Sequence, residues 1–143
     1  MTTDNDIQEA LQTIEAGMTC FVAGDSEPFK ARWSHQADVS IMGAWGTAEV
    51  GWPDSEPRLD WAAARFHGGN WTQELLTAGT SGDLLYTVTI ERMQPGLKGQ
   101  DAAGRSELRV THVFRRENGH WKIVHRHADP IISKTDAATI LQR

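Results

Sequence analysis

The stretch from Leu108 to Pro130, LRVTHVFRRENGHWKIVHRHADP, constrains the fold more than any other part of the chain. Two runs rich in Val, Ile, Thr, Phe and Trp flank Asn118-Gly119. Both residues of that pair tolerate positive φ, which makes it the strongest short-range signal for a hairpin. The reading is two long antiparallel strands. Along the second, side chains alternate, so Trp121, Ile123, His125, His127 and Asp129 are expected on one face and Lys122, Val124, Arg126 and Ala128 on the other. An apolar face that becomes ionisable as it runs on is what a sheet lining a pocket would show.

The hairpin register decides which groups meet the histidines. A two-residue loop at Asn118-Gly119 sets Glu117 opposite His120, Phe114 opposite Ile123 and His112 opposite His125. A three-residue loop with a bulge at Gly119 sets Val113 opposite Ile123, Thr111 opposite His125 and Arg109 opposite His127. Periodicity leans to the first. Both keep His125, His127 and Asp129 together.

A chain of 143 residues is expected to form one domain with a single core. One cysteine, Cys20, excludes an internal disulfide and fits a reducing compartment, and the acidic, polar start MTTDNDIQEA is neither a signal peptide nor a membrane anchor, so a cytoplasmic location is expected. The formal charge of -5 argues against nucleic acid or an anionic membrane as the main partner. Six tryptophans stand against one tyrosine, so several are expected to line something other than a plain core.

Taken in order, Thr3 with Asp6 reads as a capping box for a helix through Ile7, Ala10, Leu11, Ile14, Met18 and Phe21, ended by Gly24. Ser26 and Pro28 start a short second helix, and a first strand follows around Val39 and Ile41. Gly43-Ala44-Trp45-Gly46 is a tight turn into a short partner strand, Thr47 to Val50. Asp54 or Ser55 is expected to cap a third helix that Gly68-Gly69 stops. Trp71 to Thr80 and Asp83 to Met93 then read as strands, Gln94 to Gly104 as a surface loop, and Thr135 to Arg143 as a last short helix. Helices first, one more after a strand pair, then a four-stranded meander make an α+β domain with helices packed on one sheet face.

That order, with MGAWG, RLDWAAARF, GDLLYTVTIER and the final hairpin, resembles the SnoaL-like branch of the nuclear transport factor 2 (NTF2-like) superfamily, including its ketosteroid-isomerase-like proteins. The resemblance covers roughly Ile7 to Pro130 and implies a cystatin-like cone: a curved antiparallel sheet wrapped around N-terminal helices, with a pocket open at one end. It also implies homodimers joined through sheet surfaces. Similar chains carry the Arg-x-Thr pattern found at Arg109 and Thr111 and a His at the His127 position, which favours the bulged register. Fold membership does not name a reaction, because isomerases, dehydratases, cyclases and epoxide hydrolases share this fold. The only tyrosine, Tyr86, lies on a middle strand and not where an isomerase of this group would carry its hydroxyl donor, and the epoxide hydrolases' Asp-Arg-Asp set has no clear counterpart. Only Asp129 with His127 or His125 could stand in for the cyclases' acid/base pair.

The candidate catalytic set is therefore His127, His125, Arg109 and Asp129. An imidazole moves a proton beside a carbonyl, a carboxylate orients it and an arginine holds the oxyanion. The expected substrate is a small hydrophobic carbonyl or hydroxyl compound, turned over without a cofactor. The plain alternative is a buried, mutually satisfied polar network. Trp33, Trp45, Trp61, Met42, Tyr86, Thr111 and Asp38 are candidate ligand-binding residues, although core packing accounts for most of the tryptophans and a turn for Asp38. His-x-His is also a metal spacing, with His112 as third ligand in the first register, but a metal site needs a fixed outer shell as well and none is expected. A ligand-binding or accessory domain without chemistry, or a dimerisation module with a filled core, are the other readings.

Overall fold

The helical spacing of Ala10, Ile14, Met18 and Phe21 buries those four side chains along one face of α1 (Thr3–Phe21) in the computed structural model, which describes residues 3–97, 106–131 and 137–141. Gly24 stops the chain beyond it with φ 98°, a left-handed conformation that glycine adopts without strain. The Thr3 side chain of the expected capping box lies outside the described part; the Asp6 carboxylate accepts from Arg116 Nη2 at 3.0 Å and Trp121 Nε1 at 3.3 Å, tying the first helix to the last hairpin. A single helical turn, α2 (Glu27–Lys30), crosses α1 at Gly17, where a Cβ would lie 2.6 Å from Cδ1 of Phe29.

After β1 (Ser40–Met42) and β2 (Ala48–Val50) comes α3 (Trp52–Ala63). It starts earlier than the Asp54 or Ser55 cap predicts, because Gly51 at φ 87° takes the cap position and Pro53 suits the first turn. Gly68 and Gly69 do not stop it. They lie inside β3 (Phe66–Ser81), which pairs with β4 (Leu84–Leu97), and β4 extends into the stretch expected as a loop. Residues 98–105 of that loop, and residues 132–136 and 142–143, lie outside the described part, so the expected last helix is seen only as a 3₁₀ turn, Ala137–Ile140. β5 (Ser106–Glu117) and β6 (His120–Pro130) complete an open, curved, six-stranded sheet of order β2-β1-β6-β5-β4-β3. All neighbours are antiparallel except β1 and β6. Trp33, Phe29, Leu59, Phe114 and Ile123 fill the core between the sheet and the helices.

The hairpin turns through two residues, Asn118 at φ 52° and Gly119 at φ 80°, and Phe114 sits opposite Ile123. Beyond that point neither expected register holds. Val124 is an extra residue in β6, so Val113 faces His125, Thr111 faces His127 and Arg109 faces Asp129. The bulge falls where β6 changes neighbours. Ile123 bonds the backbone of Arg32 and Ser34, while β1 takes over from His125 onward. One inserted residue inverts the alternation. Trp121 and Ile123 therefore share the inner face with Arg126 and Ala128, and His125, His127 and Asp129, expected beside the core, lie on the outer face.

Candidate functional site

Between the inner sheet face and the three helices lies a cavity of about 400 Å³. Met18, Phe21, Phe29, Leu59, Phe66 and Met93 form apolar walls, and Trp45, from the turn between β1 and β2, stands half-exposed at the rim. Trp45 is steadied edge-on by Trp61 at 5.4 Å between ring centroids, and Trp61 in turn lies between the guanidinium groups of Arg58 and Arg65.

One charged side chain in this wall is buried. Arg126, 7% exposed, donates through Nη1 to Glu91 Oε2 at 2.7 Å and through Nη2 to Glu91 Oε1 at 2.9 Å. Glu91 is fully buried on the inner row of β4 and also accepts from Trp71 Nε1 at 3.3 Å. Nη1 of Arg126 also lies 3.0 Å from Nε2 of His112. A guanidinium only donates, so Nε2 accepts and the imidazole carries its proton on Nδ1, which is buried and has no partner among the described residues. Burial, reinforced by the charge of Arg126 and by His125, holds the His112 pKa well below the ordinary imidazole value, and the ring is neutral.

The outer face gathers the expected catalytic set away from this cavity. Arg109 grips Asp129 through Nε at 2.8 Å and Nη2 at 3.0 Å rather than reaching His127. His127 Nε2 stands 3.8 Å from Asp129 Oδ2, and Nδ1 of His125 lies 2.8 Å from Ser40 Oγ. Thr111, Arg109, His127 and Asp129 border a shallow depression of about 310 Å³ with Leu76, Val88 and Ile90. Burial and the neighbouring His127 lower the pKa of His125.

Of the expected ligand-binding residues, Trp45 lines the cavity and Trp61 supports it. Trp33 is core, packed edge-on to Phe29. Met42 pairs with His127 on the outer face, and the Tyr86 ring lies over Gly79 on that same face. Asp38 is held by both terminal nitrogens of Arg115, at 2.7 and 3.1 Å, and that contact keeps its carboxyl below its ordinary pKa. His112 lies on the opposite face from His125, so the three-histidine set does not form, and among the described residues no three His, Cys, Asp or Glu side chains are placed to hold a metal.

Arg126 and Glu91 are the site residues that sequence reasoning missed, and His112, expected beside His125, joins them instead. A signal existed in β4, where Leu85, Thr87, Thr89 and Glu91 share a face. All four are buried, and a buried carboxylate requires a cation from a neighbouring strand.

The SnoaL-like domain family model matches residues 10–133. No curated protein matches the sequence. Among solved structures, the chain is similar to a candidate dehydratase of the NTF2-like family from Streptomyces avermitilis, at 20% identity and TM-score 0.79, covering 92% of this chain and 100% of that one. An NTF2-like superfamily protein from Salmonella enterica aligns at 18% identity and TM-score 0.76, over 95% of this chain and 97% of the other. An NTF2-like protein of unknown function from Pseudomonas putida aligns at 23% identity and TM-score 0.72, over 97% and 93%. At these identities the likenesses show the fold alone, a curved sheet around N-terminal helices, whereas the family model spans most of the sequence: the chain belongs to the SnoaL-like family.

Proposed function

We propose that this protein binds a small hydrophobic molecule in the inner-face cavity without transforming it. The observation that carries the reading is the cavity itself: its volume of about 400 Å³ and its aromatic and aliphatic walls, with one buried charged group among them, are the ordinary make-up of a ligand site. The titratable side chains in the described wall are Arg58, Glu107 and Arg126, and Glu107 is engaged by Arg92 Nε at 2.7 Å. The described residues of the wall thus offer a holder for an oxygen atom and, among them, no free base.

Acid/base chemistry on a small hydrophobic carbonyl or hydroxyl compound, as an isomerase, cyclase or dehydratase, is the second reading, favoured by the likeness to the Streptomyces candidate dehydratase. In it, Arg126 would hold the developing oxyanion. His127, His125, Arg109 and Asp129 would act only on a substrate seated against the outer face. A thermal-shift screen with small hydrophobic acids, ketones and steroids tests the first reading, because a ligand held only by the native state raises the melting temperature. Hits recovered unaltered support binding, and a product in solution supports chemistry. A His127→Ala variant that turns a substrate over as well as wild type removes His127 from that chemistry.

A second copy of the chain is the proposed protein partner, docked through the outer sheet face, where Met42, Leu76, Leu84 and Tyr86 are exposed. No described helix is long and apolar enough to cross a membrane, and a cytosolic setting is part of the proposal.

A further inference from the structure

The geometry points to a monocarboxylic acid as the ligand class, with its carboxylate on the Nε–H and Nη2–H edge of Arg126 and its apolar body against Phe21, Phe29, Phe66 and Met93. This rests on the small-molecule reading above. Of the five N–H donors of a guanidinium, three of Arg126 are taken among the described residues: one on each terminal nitrogen by Glu91 and the second on Nη1 by His112. The remaining two, Nε–H and the second hydrogen of Nη2, are parallel and share one edge. Arg126 is part of the cavity wall and Glu91 and His112 are not, the arrangement expected when the bonded edges point away from the cavity and the unoccupied edge toward it. Two parallel donors at that spacing match the two oxygens of a carboxylate. This protein already makes that bond elsewhere, where the same edge of Arg109 holds Asp129 at 2.8 and 3.0 Å.

Charge favours an acid over a neutral carbonyl compound. Glu91 balances Arg126 and Arg92 engages Glu107, whereas Arg58, also in the wall, stacks on Trp61 at 4.0 Å with no carboxylate partner among the described residues. Within the wall itself the guanidiniums of Arg58 and Arg126 stand against the single carboxylate of Glu107, whose partner Arg92 is shared with Glu74.

The test is calorimetric titration of the whole chain near neutral pH with 4-phenylbutyrate, 4-phenylbutanamide and 4-phenylbutanol. The acid is expected to bind about tenfold or more tighter than either neutral analogue, as a charge-assisted bidentate pair requires. Equal binding of all three overturns the carboxylate inference and leaves the small-molecule reading standing. Failure of all three overturns the inference, and failure across the wider thermal-shift screen as well overturns both. Arg126→Lys keeps a cation for Glu91 but removes the fork, and is expected to erase most of the preference for the acid over the amide. Should that variant fail to fold, Arg58→Gln, half-buried on α3 in the cavity wall, is expected to weaken the acid severalfold and leave the amide unchanged. An unaltered acid affinity in a folded variant of either kind counts against the assignment.

Discussion

Arg126 and Glu91 place two charges where charge is costly, and each is tolerated because the other is there. His112 completes the cluster as a neutral acceptor, with a consequence for pH. Its folded pKa lies well below its unfolded value of about 6.5. Above that value the ring is neutral in both states and no penalty arises. As pH falls below it, the unfolded chain takes up a proton that the folded chain refuses, so stability falls by up to ~1.4 kcal/mol per pH unit for this one group. The loss continues down to the folded pKa, and His125, also lowered, adds to it. Urea denaturation at stepped pH is expected to show this decline, and His112→Gln, which keeps an acceptor for Arg126, is expected to remove about one proton's worth of the slope. An unchanged slope in that variant would mean that the ring titrates alike in both states. The sequence shows a histidine at 112, but only its burial against an arginine sets the tautomer and the charge.

At the scale of elements, the crossing of α1 and α2 depends on the missing side chain of Gly17. In an open helix, Gly→Ala gains up to about 1 kcal/mol. Here the new Cβ would meet Phe29 at 2.6 Å from Cδ1 and 2.9 Å from Cα, and backbone cannot give way as a flexible side-chain end can. Gly17→Ala is therefore expected to lower stability by about 1–3 kcal/mol, read as a melting temperature several degrees lower. A rise would show that the helices can separate at no cost. The hairpin carries the converse lesson. Asn118-Gly119 forms the two-residue loop, one of the two lengths its sequence allowed, whereas the bulge at Val124 falls where the Arg32–Ser34 backbone gives way to β1 as the neighbour of β6, segments far away in the chain.

Across the whole molecule, the outer sheet face combines exposed Met42, Leu76, Leu84 and Tyr86 with the Arg109–Asp129 pair and His127. Apolar groups collected on one face of an open sheet, with polar groups among them, fit an interface between copies. Sedimentation equilibrium is expected to give twice the chain mass for wild type and the chain mass for Leu84→Glu/Tyr86→Lys, with the helical circular dichroism kept. A monomeric wild type at micromolar concentration rejects the proposal. The sequence by itself determined the order of the helices and strands, though not the bounds of α3, β3 and β4, because that order depends on local φ preference and on apolar spacing within each stretch. It left the hairpin loop open between two residues and three, and the SnoaL-like likeness rested on its motifs. Which sheet face looks inward at β6, and so whether an arginine or two histidines meet the cavity, was decided only by the tertiary structure. Alternation carries parity along a strand just as far as the first inserted residue, and neighbours in space chose where that residue fell.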